Sequence, residues 1–209
     1  MKTSDEICKE ISDISPHAIV SFSMGKDSIA AAIQMQRFFP ELEYVFLYMV
    51  PGLEFQEEAL SYYEGKLGKR IRRYPNPSLY YQLDSCMYQH PGNVRFLMDA
   101  PYHIDYNKPR FYDQIFSAAK LDAKISLDSF TGVGVRMADS LMRRTSILKS
   151  NGINQNRKQF FPVFDWNIER VYNEIKQSGI KLPIDYKIWG RSFDGFDYRF
   201  LKPLKDNFP

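Results

Sequence analysis

At 209 residues the chain fits one domain with a sizeable core, and its 44% apolar, 25% charged and 15% aromatic residues exclude extended disorder. Lys and Arg number 28 against 25 Asp and Glu, and the resulting charge of +3 is too small for a whole-molecule nucleic-acid field. Cys8 and Cys86 show no CxxC spacing and the three histidines are scattered, so no zinc site is expected and the thiols are expected to be reduced.

The N-terminal stretch "MKTSDEICKEISD" is acidic and amphipathic, unlike a signal peptide, and no 18-residue apolar run follows, so a cytoplasmic protein without a membrane span is expected. Ile7, Ile11 and Ile14 recur at helical spacing behind Ser4, which is read as the N-cap of a helix stopped near Pro16. His17 to Phe22 reads as a strand buried on both faces, and Ser28 to Phe39 as a helix that must pack against a sheet. Tyr44 to Val50 is the next strand and is broken by Pro51-Gly52. A helix over Glu54 to Leu67, stopped at Gly68, leads into a third strand in "KRIRRY". Alternating strands and helices imply right-handed parallel crossovers, hence an α/β three-layer sandwich with a mostly parallel, Rossmann-like sheet.

Residues 75–128 carry five prolines among aromatics and are expected to form short helices and loops, a lid or side wall within a single domain of residues 1–209. Beyond them, Ser129 to Arg136 reads as a strand and Met137 to Leu148 as a helix. "NGINQNRK" reads as a polar turn, "FFPVFDW" as an extended segment, and Ile168 to Gln177 as a helix ended by Gly179. The tail from Asp185 is aromatic and turn-rich, with a tight turn expected at Asp194-Gly195.

The chemistry concentrates in "SFSMGKDS", where a strand feeds a helix. Backbone amides, the hydroxyls of Ser23 and Ser28 and the Lys26 ammonium meet there at a helix N-terminus, and Gly25 lets an anion approach the backbone: this is a phosphate seat. Asp27 beside it would cap the helix or help hold a divalent cation. The Gly-x4-Gly-Lys-Ser/Thr P-loop is excluded, because residue 20 is Val and Asp27 follows the lysine. Arg136 closes a strand at its C-terminal edge, and Ser140, Arg143 and Arg144 fall on one side of the next helix. Three guanidiniums facing the loop would make an anion clamp.

Ser23 to Ser28, "SMGKDS", resembles the pyrophosphate loop of the adenine nucleotide alpha-hydrolase (PP-loop) superfamily. "YMVPGLEFQE", "GVGVRMADSLMRR" and "FPVFDWNIERVYNEI" are similar to three further elements of its PAPS reductase-like branch, of the type common in phages and mobile elements. The resemblance implies an adenine nucleotide-binding enzyme that uses ATP or PAPS, with magnesium compatible; two cysteines cannot supply a four-cysteine cluster, so no iron–sulfur cluster is expected. Adenine and ribose would lie against Ser21, Phe22, Val50 and Gly52. The phosphates would lie on Ser23, Gly25, Lys26 and Ser28, and the far anion on Arg136, Ser140, Arg143 and Arg144. Lys26 and Asp27 are the expected catalytic residues. True PAPS reduction, coupled to thioredoxin, needs a C-terminal Glu-Cys-Gly-x-His element in the family, and "LKDNFP" carries no cysteine. The phage-type relatives also imply an alternative, a nucleotide-gated partner of a ParB-like or DNA-modification protein. The sequence leaves a homo-oligomer open.

Overall fold

The structure is a computed structural model and describes residues 2–78, 111–193, 195 and 198–207. Helix α1 (Ser4–Ile14) leads into strand β1 (His17–Ser21), α2 (Lys26–Gln36), β2 (Glu41–Tyr48), α3 (Glu54–Leu67) and β3 (Ile71–Pro75). After α4 (Tyr112–Asp122) come β4 (Phe130–Val133), a 3₁₀ turn (Met137–Asp139), α5 (Leu141–Lys149), β5 (Ile153–Asn154) and β6 (Gln159–Phe160). Helices α6 (Ile168–Ser178), α7 (Asp185–Trp189) and α8 (Tyr198–Asn207) complete the described chain. The sheet order is β3-β2-β1-β4-β6-β5, parallel throughout except for the β5–β6 pair.

Period-2 alternation along the central strands sorts two apolar layers. Ala18 and Val20 of β1, with Leu42, Tyr44 and Phe46 of β2, face the larger cluster that also holds residues of α1, α2, α3 and α6. Ile19 and Val45 point the other way, against Phe116 and Ala119 of α4. Helix α2 is buried nearly all round from Ser28 to Met35, as its apolar sequence requires. Among the described residues no helix is long and apolar enough to cross a membrane.

Several boundaries differ from expectation, each for a local reason. Thr3 rather than Ser4 caps α1, in a reciprocal box with Glu6. Ser4 is buried instead: its hydroxyl accepts from Trp166 Nε1 at 3.1 Å, and its N–H donates to Asp165 Oδ2 at 3.0 Å, so Asp165-Trp166 bolts the start of α1 to the core. The expected helix over Met137–Leu148 is interrupted at Ser140, which is extended and caps α5. The polar turn and extended segment after it resolve into the β5–β6 hairpin, with strand geometry ending at Phe160. The tail contains two helices that the turn-rich sequence hid. Most of the expected lid, together with Cys86, His90, His103 and Asp194, lies outside the described residues.

Candidate functional site

The chain leaves β1 toward β2 on one side and returns through β4 on the other, so the C-terminal ends of β1 and β4 form a topological switch point, the position where open parallel sheets take ligands. A cleft of about 520 Å³ opens there. Its floor is Ser21, Phe22, Ser23, Gly25, Lys26, Asp27 and Ser28, one wall is Val45 to Leu47 with Met49, Gln56 and Asn76, and the opposite wall is Gly134, Asp139 and Arg143. Tyr186, Arg191, Ser192 and Phe193 of the C-terminal segment close the fourth side.

The loop between β1 and α2 is braced by its own hydroxyls. Ser28 Oγ donates to the Gly25 carbonyl at 2.9 Å and accepts from the Ser23 N–H at 3.1 Å, and the Ser23 hydroxyl donates to it at 3.2 Å. Met24 occupies the left-handed region at φ 59° and is 1% exposed, so a core side chain anchors the bend where a glycine would leave it loose. Gly25 is the N-cap and supplies no side chain to the first-turn amides of α2, the first of which, Lys26 N–H, is taken by the Tyr186 hydroxyl. A Cβ at Gly25 would sit 3.2 Å from Ser192 Oγ and 3.3 Å from Ser23 Oγ, so the two hydroxyls close over a bare backbone. Gly134 is tighter still: a Cβ there would lie 2.5 Å from the Asp27 carbonyl oxygen. The end of β4 therefore touches the first turn of α2 backbone to backbone.

A charge network runs across the floor. Asp27 takes Lys26 Nζ on Oδ2 at 2.8 Å and Arg136 Nε on Oδ1 at 2.7 Å. Arg136 Nη2 continues to Asp139 Oδ1 at 2.7 Å, and Arg143 Nη1 donates to Asp139 Oδ2 at 2.9 Å. Arg136 is 5% exposed. It lies outside the cleft lining as a strut between two carboxylates, Asp27 and Asp139, where an anion clamp was expected. Ser140 is also spent structurally, accepting from the Arg143 N–H at 3.2 Å, and neither it nor the exposed Arg144 lines the cleft. Of the expected arginine trio, Arg143 alone reaches the lining. On the other wall Val50 and Gly52 miss the cleft, Gly52 being an exposed turn residue at φ 69°, and Met49 takes that position.

Residues that the sequence reading gave no role complete the site. Gln56 is 4% exposed and borders the cleft, and its carboxamide has no hydrogen-bond partner among the described residues. The Lys26 N–H donates to the Tyr186 hydroxyl at 2.8 Å. Asp185, 1% exposed, accepts the Phe193 N–H on Oδ2 at 2.8 Å while its Oδ1 has no partner among the described residues. Burial pushes both the Asp185 carboxyl and the Tyr186 phenol above their ordinary values. Cys8 lies on the buried face of α1, where burial pushes its thiol up to about 12, so it is no thiolate nucleophile at neutral pH.

No protein-family model matches the chain, and no curated protein matches it in sequence. In structure it is similar to the U34-tRNA thiolase NcsA of Methanococcus maripaludis, solved with its [4Fe-4S] cluster. The match covers 99% of this chain and 72% of that one, with 12% identity and a TM-score of 0.55. The likeness is one of fold: an α/β chain with a mostly parallel sheet and helices on both sides. The match also overturns the expectation that an iron–sulfur cluster is foreign to such a chain, because a protein carrying one has this fold over nearly the whole length compared. Among the described residues no three His, Cys, Asp or Glu side chains converge.

Proposed function

We propose that the protein binds an adenine nucleotide, ATP or PAPS, across this cleft and cleaves or transfers at its phosphate chain, as a PAPS reductase-like member of the PP-loop superfamily. The observation that carries the reading is the glycine-capped N-terminus of α2 bordering a cleft at the switch point, with Lys26 and Arg143 among its lining residues. Partial positive charge at that helix end favours a di- or triphosphate, and Gly25 adds no side chain between its oxygens and the loop.

The base and ribose lie toward Phe22, Phe46 and Met49, the less polar part of the lining. Lys26 and Arg143 stabilise charge that develops on the phosphate chain, each held in place by a carboxylate, Asp27 and Asp139 respectively. A magnesium ion carried in by the phosphates would meet the same two carboxylates, the acidic groups that line the cleft among the described residues. Catalysis in such a site is positioning plus charge stabilisation, and the proton inventory needs no buried base.

Isothermal titration with ATP, AMP, PAPS and adenosine 3′,5′-bisphosphate tests the reading, with Lys26→Ala as control. Micromolar to sub-millimolar binding of ATP or PAPS that Lys26→Ala weakens by at least tenfold supports it. Absence of binding by the wild type at millimolar nucleotide overturns it. Turnover of the ligand that binds, with and without magnesium, then separates an enzyme from a binding protein.

A further inference from the structure

Resting on the nucleotide reading, we infer that Tyr186 is a phosphate-contacting residue: its hydroxyl extends the N-terminus of α2 outward and donates to an anionic oxygen of the bound nucleotide. A hydroxyl can accept twice and donate once. The oxygen of Tyr186 accepts from the Lys26 N–H at 2.8 Å, the first amide of α2, and its own proton has no acceptor among the described residues. Tyr186 borders the cleft, so that proton is available to a ligand. Burial holds the phenol above its ordinary value, which keeps the group protonated, and the amide that donates to its oxygen polarises the O–H further.

The tyrosine is also held firmly enough to act as a fixed contact. Its neighbour Asp185 is buried and bonds the Phe193 N–H, folding the segment after α7 back on itself. Trp189 donates from Nε1 to the Phe200 carbonyl at 3.2 Å and stacks among Phe55, Phe193 and Phe200, with ring centroids 5.7 to 5.8 Å away. The opposite view is that the hydroxyl is a plug, filling an amide that phosphate would otherwise take. The two views predict opposite signs for removing one oxygen atom.

The test is Tyr186→Phe against wild type, titrated with ATP and with tripolyphosphate, with adenosine binding followed by ligand-observed NMR and folding checked by circular dichroism. A donor role predicts ATP and tripolyphosphate binding about tenfold weaker, as expected for one hydrogen bond to a charged acceptor, with adenosine unchanged. A merely structural role for the hydroxyl would weaken adenosine as well and overturns the inference. Unchanged or tighter ATP binding by Tyr186→Phe also overturns it and leaves the nucleotide reading standing. A wild type that binds neither ATP nor tripolyphosphate sinks both.

Discussion

At the C-terminal edge of the sheet β1 and β4 lie side by side, and each hands the chain to a helix, α2 in one case and α5 in the other. The first joint ends in Gly25, a cap without a side chain, and its serines bond within the loop, so its first helix amide is met by a distant hydroxyl, that of Tyr186, rather than by a cap of its own. The second inserts a 3₁₀ turn and then Ser140, whose hydroxyl takes the Arg143 N–H, so its helix end is satisfied from within. Helix α2 is buried for most of its length, whereas Ile147 is the one residue of α5 fully removed from solvent. One joint offers backbone donors to a ligand and the other offers side chains, Asp139 and Arg143. Arg136 and Gly134 fasten the second to the first.

The largest effect is expected at Arg136. Replacing it with Met leaves Asp27 and Asp139 without their shared partner in a mostly buried setting. Stripping one member from a buried ion pair costs about 3–5 kcal/mol, and the lower end applies here because Lys26 and Arg143 remain. Chemical denaturation reads this directly, and a variant as stable as wild type would mean the two joints are independent. Next comes Gly134→Ala. The obstructing atom is the Asp27 backbone oxygen, which cannot rotate away, so the substitution should cost ~1–3 kcal/mol as an overpacked contact and push the first turn of α2 off its position. Nucleotide binding should fall with it. Retained affinity in a destabilised variant would show that the α2 N-terminus does not carry the ligand.

The first joint was legible in the sequence because everything that makes it is contiguous: an apolar run for a doubly buried strand, then Gly25, Lys26, Asp27 and Ser28, then an apolar helix. The second was read as an uninterrupted strand and helix because its breaks depend on distant partners. Arg136 meets Asp27 across 109 residues, and no local pattern says whether a guanidinium will face a ligand or a carboxylate. Asp139 stands in the same segment, and its pairing with Arg136 and Arg143 on the cleft wall appears only when β4 is docked beside β1. Tyr186 is further still, 160 residues from the amide that it accepts from. Its signal was a tail rich in aromatics and turns, a pattern that marks packing without telling which hydroxyl reaches the site. The parallel sheet needed none of these contacts, and the element pattern alone carried it.

The smallest predicted effect is the sharpest on the contrast between the joints. Ser140 occupies the position equivalent to Gly25, the cap of the helix leaving the sheet, yet its hydroxyl caps α5 and it does not line the cleft. Ser140→Ala should therefore lower stability by ~1 kcal/mol, the usual cost of losing a capping side chain, and should leave nucleotide affinity within twofold. Thermal unfolding and titration on the same sample check both halves. A tenfold loss of affinity at unchanged melting temperature would make Ser140 a ligand contact and α5 a second anion-facing helix, and the two joints would then share one design.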